Sequence, residues 1–414
     1  MNAPAGRKRK VCVVVTARPS YARVRTALQA LRARDDVELQ LIAVASTLLH
    51  RYGEVVRVME ADGFTIDWRI HSILEGENLV TQAKSTAIGL AETATALDNL
   101  KPDVVVTIAD RYETIATAIA ATYMNIPLAH IQGGEVTGNI DDRVRHAVTK
   151  MADLHLVASK GARDYVISMG EPPETVHLTG CPSIDIAAKV KRENPSLPEN
   201  FFQRFGGVGA EFDIHNEPYI VVMQHPVTTE YEQAFDQAEQ TLRAVSELGV
   251  NALWFWPNVD AGADATSKAI RVWRERGRVP RVHFFRNMPP EDFYRLLINA
   301  KAIVGNSSVA IRECSWLGVP AVNIGNRQIS RERGPNVMDV PHDWQAIRAA
   351  IERQMAHGPY PSVAIYGEGD AGERIARVLA EAPLTLKHEH VPVDPRRTTA
   401  ESIARDFTAA GRKA

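Results

Sequence analysis

The sequence predicts an α/β protein of two doubly wound, Rossmann-like domains facing each other across a cleft. Three observations carry the prediction. Apolar runs of strand length alternate with helix-period segments, the alternation comes in two series, and one Pro- and Gly-containing stretch interrupts it midway. A chain of 414 residues also exceeds one typical core.

The first series begins with VCVVVT at 11–16. The GRKRK before it gives a brief likeness to a signal peptide, but the apolar run breaks at Thr16 and Arg18, and no small-residue cleavage site follows. It therefore reads as a buried first strand. VELQLIAVA, VVVTIA, PLAHIQ and LHLVAS are the next strands, separated by helical stretches at 20–34, 78–100, 112–125 and 141–152. The linker follows at 191–217, with Pro195, Pro198 and the glycines of GGVG. GGVG lacks the strand before it and the helix after it that a dinucleotide fingerprint needs, so it reads as loop. YIVVMQ, NALWFW, RVHFF, AIVG and AVNIG form the second series, with helices near 229–248, 263–276, 290–299 and 309–317. The expected division is an N-terminal domain at 1–190, the linker, a C-terminal domain at 218–387 and a peripheral extension at 388–414. A last helix near 371–383 is expected to pack back on the first domain, and 400–410 carries one short helical pattern.

Composition narrows the function. A net charge of −2 and a pI near 6.7 give no basic field for nucleic acid. Cys12, Cys181 and Cys314 lie in three distant segments, which indicates neither a zinc cluster nor a disulfide framework. No stretch has the length and apolarity of a membrane span, and the expected location is cytoplasmic.

In open parallel sheets ligands bind beyond the carboxyl ends of the strands, and here those ends are rich in polar groups. IVGNSSVAIREC places Ser307, Ser308 and backbone N–H groups at the start of a predicted helix, an arrangement suited to phosphate. Glu313, little more than a turn further on, suits ribose hydroxyls. A plain serine-capped junction is the structural alternative. Arg18, Asp110-Arg111, Gly133-Gly134-Glu135, His225 and Asn258 occupy other strand ends. Each has a structural reading too: Asp110, Asp141 and Asp142 as capping carboxylates, Arg18 as a surface residue, His130 and His146 as satisfied core histidines.

TARPSYARV, ADRYET, HIQGGEVTGNIDDRVRHAVTK, QHPVTTEY, PNVDAG and GNSSVAIRE…GVPAVNIGNRQ, in that order from about residue 10 to 380, together resemble the hydrolysing UDP-N-acetylglucosamine 2-epimerases, including the epimerase domain that begins sialic acid synthesis. The resemblance implies a glycosyltransferase-B fold with a nucleotide sugar in the cleft, and a homodimer or homotetramer. It implies diphosphate contacts at Arg18 and Arg111, a diphosphate or catalytic role for His225, a phosphate-binding pair at Ser307 and Ser308, and a ribose carboxylate at Glu313. Arg327 would be a further nucleotide-side contact, Asn258 and the Asn287 region would lie round the uridine, and Asp110 and Asp141 match catalytic carboxylates, with Glu135 in the same loop. The implied reaction eliminates UDP to give a 2-acetamidoglucal, which water then converts to N-acetylmannosamine. That chemistry requires no metal or redox cofactor.

Two positions depart from the family pattern. Gln132 stands where the best-known members carry a catalytic glutamate, and an amide orients a hydroxyl or water but is no ordinary proton acceptor. Ala22 replaces a serine found in some relatives. Glu135, Asp141 or Asp142 would then cover the missing role, or the sugar differs, as in the related branch acting on diacetylated bacillosamine nucleotides. A non-hydrolysing 2-epimerase, a glycosyltransferase of the same fold and a non-catalytic nucleotide-sugar sensor are the other readings.

Overall fold

A computed structural model of the chain describes residues 7–50, 53–75, 79–137, 141–257 and 262–387. Asn258 and the 388–414 extension, with its expected helix, lie outside the described residues, as does the side chain of Asp141.

Two seven-stranded sheets form. The first contains β1 (Arg9–Val15), β2 (Val37–Val44), β3 (Trp68–Ile70), β4 (Val104–Ile108), β5 (Leu128–Ile131), β6 (Leu154–Val157) and β7 (Val176–Leu178). Its order is β3-β2-β1-β4-β5-β6-β7, with every pair parallel. The second contains β8 (Val208–Gly209), β9 (Tyr219–Met223), β10 (Asn251–Phe255), β11 (Val282–Phe285), β12 (Ala302–Gly305), β13 (Ala321–Ile324) and β14 (Val337–Val340), in the order β14-β13-β12-β9-β10-β11-β8. Helices cover both faces of each sheet, so the central strands are apolar on both sides. Val11 to Val15, for instance, are all buried.

Four strands were not expected from the sequence. β3, β7 and β14 are three or four residues long, below the length at which an apolar run stands out. The fourth, β8, corrects the reading of GGVG as loop. Val208 and Gly209 pair antiparallel with Phe284 and His283 of β11, forming an edge held by backbone rather than by an apolar pattern. The helical stretch at 20–34 divides into Arg18–Ala22 and Arg25–Arg32.

The chain crosses between domains earlier than residue 191. Helix Pro182–Glu193 follows β7, yet its Ile186, Ala187 and Val190 join the core of the second sheet. The return crossing ends in helix Ala371–Glu381, whose Ile375, Ala376 and Leu379 are buried against Val11, Leu28 and Leu31 of the first core. Asp185 fastens this helix: it accepts hydrogen bonds from the backbone N–H of Ala371 (2.9 Å) and Gly372 (2.7 Å), and from the Thr26 hydroxyl (2.7 Å). At the other end the Arg9 guanidinium donates to the carbonyls of Leu379 (3.0 Å) and Ala382 (2.8 Å).

Gly372 lets the two helices touch, because a Cβ there would lie 2.6 Å from the Thr26 carbonyl carbon and 2.8 Å from the Ala27 nitrogen. Gly→Ala within a helix ordinarily stabilises. Here the clash is expected to reverse that sign, with Gly372→Ala losing about 1–3 kcal/mol in denaturant unfolding. A gain in stability would show that the helix sits away from Thr26. Among the described residues, no helix is long and apolar enough to cross a membrane.

Candidate functional site

The carboxyl ends of both sheets face one another, and two strained residues shape the first wall. Ala109 (φ 62°) and Gln132 (φ 63°) adopt the left-handed conformation directly after β4 and β5. Each still donates its backbone N–H to the next strand, Ala109 to Ile131 and Gln132 to Leu156, both at 2.9 Å. The sheet ladder thus enforces conformations that ordinarily cost about 1–3 kcal/mol. The turns carry Asp110 and the Gly133–Glu135 loop above the sheet.

Arg145, on helix Asp141–Met151, ties these loops together from a fully buried position. Its guanidinium bonds Asp110 and Asp142 and donates to the Glu135 carbonyl at 2.6 Å. Asp142 also accepts from the hydroxyl (2.7 Å) and backbone N–H (3.1 Å) of Thr137. Burial alone would raise the Asp110 carboxyl, but Arg145 and Arg23 outweigh it and hold the group well below the usual carboxylate range. Asp110 is therefore a fixed anion at neutral pH.

Glu135 reaches across to the second domain. Its carboxylate lies 3.3 Å from Arg312 Nη1 and 2.5 Å from Arg331 Nη1, with all three side chains buried. Burial pushes its pKa up, and Arg331, Arg312 and Arg145 more than reverse this, drawing it down to about 2. Burial lowers Arg331 to about 10, which leaves it charged at neutral pH. Arg23, Arg145, Arg312 and Arg331 thus face Asp110, Glu135, Asp142 and Glu313, four guanidinia against four carboxylates.

The second wall is organised by Asn306, just after β12. Its amide accepts from the His225 N–H and donates to the His225 carbonyl, each at 2.8 Å, joining the ends of β9 and β12. Its own carbonyl accepts from Arg327 (3.2 Å) and Gln328 (3.1 Å). Gly305 (φ 132°) passes so close to β9 that a Cβ would sit 2.1 Å from the Met223 carbonyl oxygen, a place for glycine alone. The expected helix at 309–317 is interrupted. A 3-10 turn, Ser308–Ala310, is followed by a five-residue helix, Glu313–Leu317, too short for an appreciable dipole. The Ser307 hydroxyl caps Val309 N (3.4 Å), and Arg312, at the break, donates from Nη2 to the Ser308 hydroxyl at 2.9 Å. Glu313 is buried, and its Oε2 lacks a hydrogen-bond partner among the described residues.

The remaining candidates are spread along this cleft. Arg18 donates across it to the Met288 carbonyl at 3.2 Å, and burial draws its pKa down. Asn287, beside Met288, is exposed on the loop after β11. Arg111 pairs with Glu113 at 3.2 Å. Gln132 is buried; its Nε2 donates to Cys181 Sγ at 2.9 Å, while Oε1 lacks a hydrogen-bond partner among the described residues. His130 is a core residue, hydrogen-bonded at both ring nitrogens to Ala109 O (2.8 Å) and Thr149 Oγ1 (3.1 Å). A cavity of about 410 Å³ lined by Ser196, Glu217, Asn299 and Lys301 lies at the amino ends of β9 and β12, the wrong end of the sheet for this site.

Sequence reasoning missed Arg23, Arg145, Arg312, Arg331 and the bridging role of Asn306. The basic residues of TARPSYARV, DDRVRH and VAIRE were visible in the motifs. Nothing local distinguished them from a solvated charged face.

Residues 29–380 match the family model described as UDP-N-acetylglucosamine 2-epimerase. The chain is 30% identical over 376 residues to a protein of Legionella pneumophila named UDP-N,N'-diacetylbacillosamine 2-epimerase (hydrolyzing), covering 91% of this chain and 97% of that one. It is 28% identical to a UDP-N-acetylglucosamine 2-epimerase of Neisseria meningitidis, covering 90% and 95%. Among solved structures, the UDP-GlcNAc 2-epimerase of Neisseria meningitidis bound to UDP-GlcNAc superposes with a TM-score of 0.74 at 17% identity over 89% of this chain and 99% of that one. The Methanocaldococcus jannaschii UDP-GlcNAc 2-epimerase in complex with UDP-GlcNAc and UDP gives 0.72 at 16% identity, over 89% and 99%. These likenesses establish the two-domain α/β fold expected from the sequence.

Proposed function

Since the chain belongs to the UDP-N-acetylglucosamine 2-epimerase family, we propose that it acts on a UDP-linked N-acetylhexosamine as a hydrolysing 2-epimerase, converting UDP-N-acetylglucosamine and water to N-acetylmannosamine and UDP. The supporting observation is the linkage of the two walls: Arg145, which keeps Asp110 ionised, also bonds the Glu135 carbonyl, and Glu135 pairs across the cleft with Arg312, which bonds Ser308.

The bond chemistry sets the order of events. The C2 proton of the sugar is weakly acidic, so it leaves only as the anomeric C–O bond to UDP breaks and positive character grows in the ring. Ser307, Ser308, Arg327, Arg18, Arg111 and His225 would hold the departing diphosphate. Asp110 would take the C2 proton, since Arg145 keeps it in the ionised, proton-accepting form, and the 2-acetamidoglucal would form. Asp141, first residue of its helix, would supply the complementary proton transfer when water adds across the double bond. Every step balances without a metal or an electron carrier.

Incubation with UDP-N-acetylglucosamine in D2O, followed by NMR and mass spectrometry, tests this. Free UDP and N-acetylmannosamine deuterated at C2 are expected. An intact C2–H bond in the product excludes elimination, and UDP-N-acetylmannosamine as final product makes the enzyme non-hydrolysing. Gln132 favours a second sugar, the diacetylated bacillosamine nucleotide, because a neutral amide with an unpaired acceptor suits an extra N–H on the substrate. Offering both nucleotides in one competition assay separates the two.

A further inference from the structure

We propose that Arg312 and Arg331 form an anion site for a phosphate-type dianion, and that the Glu135 carboxylate occupies this site as an internal competitor. The inference rests on the reading of the cleft as a seat for a nucleoside diphosphate, and adds two residues to it.

Glu135 fits the two arginines poorly. A well-matched carboxylate meets a guanidinium with two parallel N–H···O bonds near 2.7–2.9 Å. Here Arg312 Nη1 stands 3.3 and 3.5 Å from the two carboxylate oxygens. Arg331 Nη1 comes within 2.5 Å of Oε2 but not along a hydrogen-bonding direction. Arg312 Nε, Arg331 Nε and Arg331 Nη1 are all buried without a hydrogen-bond partner among the described residues. Buried charged donors left unmet are costly and rare in native proteins. One carboxylate straddles two guanidinia and leaves each with buried donors unmet.

A phosphate group would meet them. It carries up to three terminal acceptor oxygens and a second negative charge, more than one carboxylate offers to two guanidinia. The site also adjoins the serine turn, since the guanidinium that meets Glu135 through Nη1 bonds the Ser308 hydroxyl through Nη2. A diphosphate seated at Ser307 and Ser308 would thus extend one phosphate toward Arg312 and displace Glu135. The released carboxylate lies three residues from Gln132, the position where this chain lacks a proton acceptor. Arrival of the anion would free a carboxylate on the opposite wall, coupling diphosphate binding to the chemistry.

Calorimetric titration of the full chain with UDP and with pyrophosphate decides the matter by the sign of one change. If Glu135 competes for the arginines, Glu135→Gln binds pyrophosphate about tenfold tighter than wild type, while Arg312→Gln and Arg331→Gln bind it about tenfold more weakly. Unchanged or weaker binding by a folded Glu135→Gln overturns the proposal, because a carboxylate that merely orients the arginines would be missed on removal. Should circular dichroism show that variant unfolded, Glu135→Asp takes its place: the charge is kept but drawn back by one methylene, and binding is expected to tighten by a smaller factor. A wild type that binds pyrophosphate and shows no C2 exchange in D2O sinks the 2-epimerase reading and leaves the anion site standing. Epimerisation alongside weakened binding by Glu135→Gln sinks the anion site alone.

Discussion

Asp110→Asn is expected to lower turnover by about 10³-fold, roughly 4 kcal/mol in the barrier, with UDP affinity within a few-fold of wild type. The amide keeps the shape of the side chain and one acceptor oxygen for Arg145, but it cannot take up a proton. Steady-state kinetics beside UDP titration make the comparison. A variant that turns over normally removes Asp110 from the chemistry, and one that loses UDP binding equally makes it an organiser of the cleft.

The largest stability effect is expected at Arg145. Arg145→Met removes the partner of Asp110 and Asp142 and one donor to the Glu135 carbonyl, leaving carboxylates in a buried site with their main counter-charge gone. Breaking a buried ion pair from one side typically costs about 3–5 kcal/mol. A clear fall in melting temperature is expected, together with loss of activity. Coupling is expected as well: Asp110→Asn combined with Arg145→Met should cost less than the two single changes summed, because the second removal relieves a charge stranded by the first. Strict additivity would mean that the two groups do not share one network.

How much of this was legible in the sequence depends on whether the determinant was local. Strands such as VCVVV and VVVTI announce themselves because residues buried on both faces leave an unbroken apolar run. The strand-end motifs were legible for a related reason, as polar residues directly after such a run mark the carboxyl edge. Arg145 was not. It sits among the charges of DDRVRHAVTK, and its burial depends on the turns at Ala109 and Gln132, neither of which carries the glycine that would have signalled a left-handed residue. Arg312 was hidden similarly, since VAIRECSWL reads as one helix and the break that directs its guanidinium toward Glu135 has no composition of its own. Gln132 was visible as an oddity, but its contact, Cys181, is 49 residues away and belongs to another strand end.

The two crossings between domains carry one mechanical consequence. They run side by side: Cys181 N–H donates to the Tyr366 carbonyl at 2.8 Å, and four residues on, Asp185 holds the start of the returning helix. A single tether would permit swivel and twist in any direction. Two tethers pinned to each other act like the leaves of a door on one pin, leaving rotation about the line between them as the soft motion. Glu135 and Arg331 are parts of the opposing leaves, and their ion pair is the catch. Loosening the pin at Asp185 would therefore disturb the alignment of the catch without touching a residue of either wall.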